Sequence, residues 1–189
     1  MSHNLAAQPW RTGFLLALCL STGYAAARES AESQTTDPWA PFRLLEGNWE
    51  GAIEGRLGQG KGRRRFKFVL DEKFVLLEHA SIRLPQDKSP GGDYHREIGV
   101  FSFDRDRDKV IYREFLVEGY VNQYVCEVEP KQFVCTTESV ENGAGMKARL
   151  TLEILDAYRF DETFELAGRG EELGLYFTNR WTRVPSFDD

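Results

Sequence analysis

The chain has 189 residues, with 24 basic and 30 acidic side chains, a net charge of −6 at neutral pH and an aromatic content of 13%. An acidic chain lacks the positive field that nucleic-acid binding rewards. Its length suits one domain with one hydrophobic core.

The first 27 residues read as a secretory signal peptide. MSHNLAAQPWR ends in a positive charge at Arg11, GFLLALCL (13–20) is apolar, and Ala25-Ala26-Ala27 offers a small-residue cleavage site. The apolar run is too short to span a bilayer, which takes about 20 residues. Leu18 before Cys19 is too large for a lipidation site. The expected product is exported across the inner membrane into the periplasm, with no membrane span after cleavage. Removal of residues 1–27 leaves two cysteines, Cys126 and Cys135, two histidines, His79 and His95, and 23 basic against 30 acidic residues. Polar residues 28–38 read as a disordered linker, 39–185 as the folded domain and 186–189 as a tail.

PWAPFRLLEG (38–47) is the one good helical candidate, short enough to cover one end of a domain. Short segments of alternating character follow. NWEGAIEGRL puts Trp49, Ile53 and Leu57 on one face, and ARLTLEIL does the same with Leu150, Leu152 and Ile154. AYRFDETFEL groups Tyr158, Phe160, Phe164 and Leu166. This period of two predicts strands with one buried face. Further strands are expected over 63–70, 73–83, 94–103, 109–118, 120–128, 132–140 and 174–184. In the first of these, Arg63, Arg65 and Lys67 form a solvated face opposite Phe66, Phe68 and Leu70. About ten strands joined by short turns imply an all-β, antiparallel up-and-down barrel, in which closure removes the edges.

Pro130 and Lys131 centre a hairpin turn in VNQYVCEVEPKQFVCTTESV (121–140). Symmetry about it sets Cys126 opposite Cys135, within disulfide reach on adjacent strands, and an exported protein meets an oxidising compartment. A stabilising cross-strand disulfide is expected.

There is no G-x-S-x-G, no P-loop and no metal-ligand spacing, so no catalytic residue is assigned. Strand-borne acids such as Glu97, Glu114 and Glu118 read as outward-facing and solubilising. Along DYHREIGVFSFD (93–104), however, alternation groups His95 with Glu97, Gly99, Phe101 and Phe103. His95, Glu97 and Phe101 are therefore candidates for an interior pocket wall, against a plain strand-end hydrogen bond for His95. Tyr120 and Asn122 in EFLVEGYVNQYV are further candidates. Such barrels hold one small ligand when hollow; the same aromatics are bulky enough to fill this one solid.

GNWEG (47–51), after a short helix and opening the first strand, resembles the G-x-W element of calycins, the superfamily of lipocalins and fatty-acid-binding proteins. The resemblance implies that Trp49 closes one barrel end under a basic residue of the last strand, Arg183 or Arg180. Within calycins, FRLLEGNWEGAIEG (42–55) and HREIGVFSF (95–103) resemble nitrobindins, ten-stranded barrels that bind ferric haem. Those barrels hold iron through a histidine of the last strand. This chain has none after His95, and an ungapped alignment places Tyr176 there. Three functions are carried forward. The first is an exported calycin-like barrel that binds a small hydrophobic or amphipathic molecule without catalysis. The second is a nitrobindin-like haem protein with Tyr176 or His95 on the iron, acting on nitric oxide or peroxynitrite. The third is a cell-envelope interaction module whose barrel is filled.

Overall fold

The computed structural model describes residues 37–187; the expected signal peptide and all but the end of the expected linker lie outside the described residues. Ten strands follow one helix, α1 (Ala40–Leu45). They are β1 (Gly47–Gly55), β2 (Gly58–Val69), β3 (Phe74–Arg83), β4 (Asp93–Asp104), β5 (Lys109–Leu116), β6 (Val121–Val128), β7 (Gln132–Glu141), β8 (Lys147–Asp156), β9 (Arg159–Ala167) and β10 (Gly174–Val184). Each strand pairs antiparallel with its neighbour in sequence, and β1 pairs with both β2 and β10, so the sheet closes into an all-β up-and-down barrel. Closure satisfies every strand edge, which is why a ten-strand meander needs no helical cover on its flanks. Among the described residues, no helix is long and apolar enough to cross a membrane.

One barrel end is plugged. Proline near the start of α1 presets the helical backbone, and the helix turns its buried Phe42 and Leu45 into the barrel mouth. Phe42 packs on Phe101 and Phe133 with ring centroids 4.8 and 4.7 Å apart. Trp49, Phe66 and Phe160 complete this aromatic half of the core. Trp49 pairs in register with Arg183, whose guanidinium carbon lies 4.2 Å from the indole centroid. Arg183 also donates to the carbonyls of Leu44, Glu46 and Ala157, and Trp49 Nε1 donates to Leu45 O at 2.7 Å. The carbonyls at the end of α1 are thereby satisfied from the barrel wall. Arg180 instead points outward and pairs with Asp161 at 2.9 Å.

Cys126 and Cys135 face each other across β6 and β7 and form a disulfide, buried in the same core. Two expectations about strand faces need correction. Leu70 is not on the inner face of β2: the strand ends at Val69, and Leu70 enters the turn with φ +52° and is 70% exposed. Glu97 and Glu114 are not solubilising surface acids, because both point inward and are buried.

Candidate functional site

On three strands alternation places a polar residue above a buried aromatic. On β2 Arg64 follows Phe66, on β9 Glu162 follows Phe160, and on β10 Asn179 follows Trp181, each two residues nearer the open end. All three polar side chains are turned inward and enclosed. The result is an interior divided at mid-height, aromatic below and ionic at the floor of the open half.

Glu162 is the hub of that floor. Its Oε2 accepts from Trp181 Nε1 at 2.8 Å and Asn179 Nδ2 at 2.6 Å, and its Oε1 accepts from Arg64 Nη1 at 2.8 Å. Arg64 Nη2 reaches Glu97 Oε1 at 3.5 Å, and the guanidinium lies 4.8 Å from the Trp181 ring centroid. The indole has room to lie there because Gly51 and Gly62 flank it; a β-carbon on Gly62 would come within 2.8 Å of the ring. Glu97 Oε2 meets His95 Nε2 at 3.1 Å, and His95 Nδ1 meets Glu118 Oε1 at 2.8 Å. A continuous polar chain thus runs from the barrel centre to its mouth.

A second cluster abuts the first on β5 and β6. Glu114 Oε2 accepts from Asn122 Nδ2 at 2.8 Å and from the Tyr124 hydroxyl at 2.9 Å, while the Tyr112 hydroxyl reaches Oε1 at 3.4 Å. Tyr112 pairs in register with Phe101 and lies diagonally across Gly99, where any β-carbon would overlap the ring. The glycine of HREIG is therefore what admits this tyrosine.

Burial and neighbours set the charges. Burial works against ionising Glu114, the nearby Glu97 adds repulsion, and together they raise its carboxyl to about 8. Burial also opposes the Glu97 charge, but His79, His95 and Arg64 outweigh it and hold that carboxyl below the ordinary range. His79 is itself driven down to about 3 by burial, so it is neutral at neutral pH and the working counter-charges are His95 and Arg64. His95 suffers desolvation, yet its contacts with Glu97 and Glu118 prevail and raise it to about 9.

Above the floor the open half encloses a cavity of about 270 Å³. Leu57, Leu116, Met146, Leu150, Phe164 and Phe177 give much of its upper wall an apolar lining, interrupted by the His95–Glu118 contact, Arg83 and Lys147. Of the residues singled out from sequence, His95, Glu97, Tyr120, Asn122 and Tyr176 all line this cavity. Phe101 does not. It lies below the floor, fully buried and stacked on Tyr112 at 4.2 Å, as part of the aromatic core. Tyr176 reaches the cavity through an irregularity: the β9–β10 register shifts between Leu175 and Phe177, so Tyr176 and Phe177 both line it while Leu175 is 56% exposed.

Sequence reasoning missed Arg64, His79, Glu162 and Asn179 as site residues and misplaced Glu114. The available signal was parity, since Arg64, Glu162 and Glu114 each share the face of a buried aromatic two residues away. Among the described residues, no group of three or more His, Cys, Asp or Glu is arranged to hold a metal ion.

No protein-family model and no curated protein matches this sequence. Among solved structures, the crystal structure of Rv2717c from M. tuberculosis is similar with a TM-score of 0.59 at 13% identity, covering 78% of this chain and 98% of that one. A redesigned β-barrel, mFAP0, bound to DFHBI gives a TM-score of 0.42 at 10% identity, covering 74% of this chain and 99% of that chain. A second redesigned barrel, b11L5F_LGL, gives 0.35 at 14% identity, covering 75% and 93%. The likeness to Rv2717c is one of fold.

Proposed function

We propose that this chain is an exported, calycin-like binding protein that holds one small amphipathic molecule in the open half of its barrel and does no covalent chemistry on it. The observation that carries this reading is the division of the interior. One half is packed solid by aromatics, and the other keeps a cavity of about 270 Å³ with a polar floor and walls that are largely apolar. A few fixed polar groups under an apolar lining are the usual composition of a small-molecule site. Such a floor orients a polar end, and the walls gain from burying an apolar body. The calycin-like assignment is supported by Trp49 beneath Arg183 at the helix-plugged end. Export is supported by the disulfide, which persists in an oxidising compartment. N-terminal sequencing of the exported protein should begin at Arg28.

The haem implied by the nitrobindin resemblance does not fit the residues present. His95 has both ring nitrogens engaged by carboxylates and holds its proton to about pH 9, so it offers no lone pair to iron. Tyr176 sits at the mouth beside Phe164, Phe177 and the Arg56 guanidinium. The surface below it, on which a macrocycle would rest, is the ionic floor of Arg64, Glu97 and Glu162. The cavity is also smaller than the roughly 300 Å³ at which pockets for drug-sized ligands begin.

Native mass spectrometry of the purified protein tests the binding reading. The expected result is a single small-molecule adduct per chain, lost on denaturation or regained on incubation with an extract of the producing cells. No adduct under either condition would contradict it.

A further inference from the structure

On the binding reading just given, which this step assumes, the atoms that the floor leaves open limit what it binds. The charges there already have partners. Arg64 is paired with Glu162 and Glu97, Glu97 with His95, His95 with Glu118, and Arg83 with Asp93 at 2.7 Å. At the floor an ionic head would enter a water-poor space with no uncompensated opposite charge to meet it, and desolvation of that head would go unrepaid. Lys147, also in the lining, is exposed at the start of β8, away from the floor.

What is unpaired is polar and of both kinds. Arg64 Nε, an N–H donor, and Asn179 Oδ1, a carbonyl acceptor, are buried without a hydrogen-bond partner; His79 Nδ1 and Arg83 Nε are two further such atoms. All four side chains are more than nine-tenths buried and all line the cavity; Arg83 stands nearer the mouth, beside Asp93, and the other three form the floor. The orientation of the Asn179 amide is fixed by chemistry. Its nitrogen donates to Glu162 Oε2, a carboxylate oxygen that can only accept, so the oxygen is the open atom. Glu162 likewise holds the Arg64 guanidinium by Nη1. One carboxylate thus presets an open donor and an open acceptor. His79 is uncharged at neutral pH and offers a ring nitrogen of either role, according to its tautomer. Buried polar atoms of this kind are costly when unmet, and a ligand that meets them recovers that cost.

We propose that the polar end of the ligand is an uncharged group carrying both an N–H and a C=O, such as a carboxamide, a lactam or the edge of an N-heterocycle, read by Arg64, His79 and Asn179. The apolar remainder lies against the upper wall. The floor then discriminates by hydrogen-bond pattern and rejects carboxylates and ammonium groups of the same shape. The neutral state of the site matches this, since Glu114 also keeps its proton and adds no charge at neutral pH.

Displacement of the apolar dye N-phenyl-1-naphthylamine at pH 7 by octanamide, octanoate and octylamine tests the proposal. Octanamide should displace the dye at a concentration about tenfold or more below the other two, the scale of one well-made buried hydrogen bond against an unmet one. Asn179→Leu should remove about tenfold of that preference. His79→Phe, which keeps a ring against Trp181, should also lower the octanamide affinity, and it serves if Asn179→Leu does not fold. Octanoate or octylamine displacing as well as octanamide would overturn the proposal while leaving the binding reading in place, as would an unchanged preference in both folded variants. Failure of the wild type to bind the dye or any of the three would overturn both.

Discussion

Arg64 and Glu162 meet at 2.8 Å in the middle of the barrel, with 3% and 1% of their side chains exposed. They come from β2 and β9, which β1 and β10 separate in the closed order, so the bond spans the interior between strands that are not paired. A pair this dry gains little over an apolar pair of the same size, yet breaking it strands a charge. Its position beneath a cavity fits a floor kept for recognition more than for stability.

Arg64→Met should therefore lose about 3–5 kcal/mol of unfolding free energy in urea, because Glu162 and Glu97 are left without their shared cation. Adding Glu162→Gln to Arg64→Met should recover part of that loss, since a neutral amide no longer needs the guanidinium. A double variant less stable than Arg64→Met alone would contradict this account of the pair.

Stability should decline from mildly acidic to alkaline pH. His95 and Glu114 both keep their protons in the fold to higher pH than in the unfolded chain, about 9 against 6.5 and about 8 against 4.5. A raised folded value means stability that is complete below the unfolded value and is lost as pH climbs through the folded one. The groups facing these two are Glu97, Glu118, His79 and Arg64 around His95, and Glu97, Tyr112, Asn122 and Tyr124 around Glu114. Melting temperatures should fall between pH 6 and pH 9 in the wild type. His95→Gln should flatten that fall above pH 6.5, and Glu114→Gln should flatten the part between about 4.5 and 8. Glu97 and His79 act in the opposite sense: Glu97 withdraws stability as pH drops through the acid range, and His79, held down to about 3, does so as pH drops below 6.5. Curves parallel to wild type in both variants would contradict these assignments.

The Cys126–Cys135 bridge closes a short loop, with a sequence separation of 9, so its effect on the unfolded chain is modest. Replacing both by alanine should cost about 2–3 kcal/mol in chemical denaturation. Titration of the unreduced protein, with residues 1–27 absent, should find no free thiol; two reactive thiols would contradict the bridge.

Gly99→Ala should cost about 1–3 kcal/mol, because the added carbon overlaps the Tyr112 ring and forces it to move. The same shift takes the Tyr112 hydroxyl from Glu114. Tyr112→Leu in the Gly99→Ala background should restore part of the loss. Independent, additive effects would show that the glycine serves another purpose.

The barrel was legible because strand alternation and turn residues are local signals. Symmetry about Pro130 and Lys131 was enough to place Cys126 opposite Cys135, since hairpin register is set by the turn. The floor was not legible in the same way. In GKGRRRFK the eye pairs Arg63, Arg65 and Lys67, which are outward, and passes over Arg64, which shares its face with Phe66. A charge on an aromatic face looks like noise until tertiary contacts with β9 supply its partner. Leu175 shows the other limit: strict alternation from Trp181 and Asn179 turns it inward, and the bulge beside it brings Tyr176 in instead. Register shifts of one residue leave no mark in a single sequence.

The central claim, that the open half of the barrel is a binding chamber, is tested most directly by titrating wild type and Ala148→Phe with N-phenyl-1-naphthylamine. Ala148 lines the cavity and is 3% exposed, so a phenyl group there occupies the space without touching the ionic floor. The account predicts one dye per wild-type chain with a blue-shifted emission, and at least tenfold weaker uptake by a variant that still melts cooperatively. Equal uptake by both proteins would place the dye elsewhere and contradict the claim.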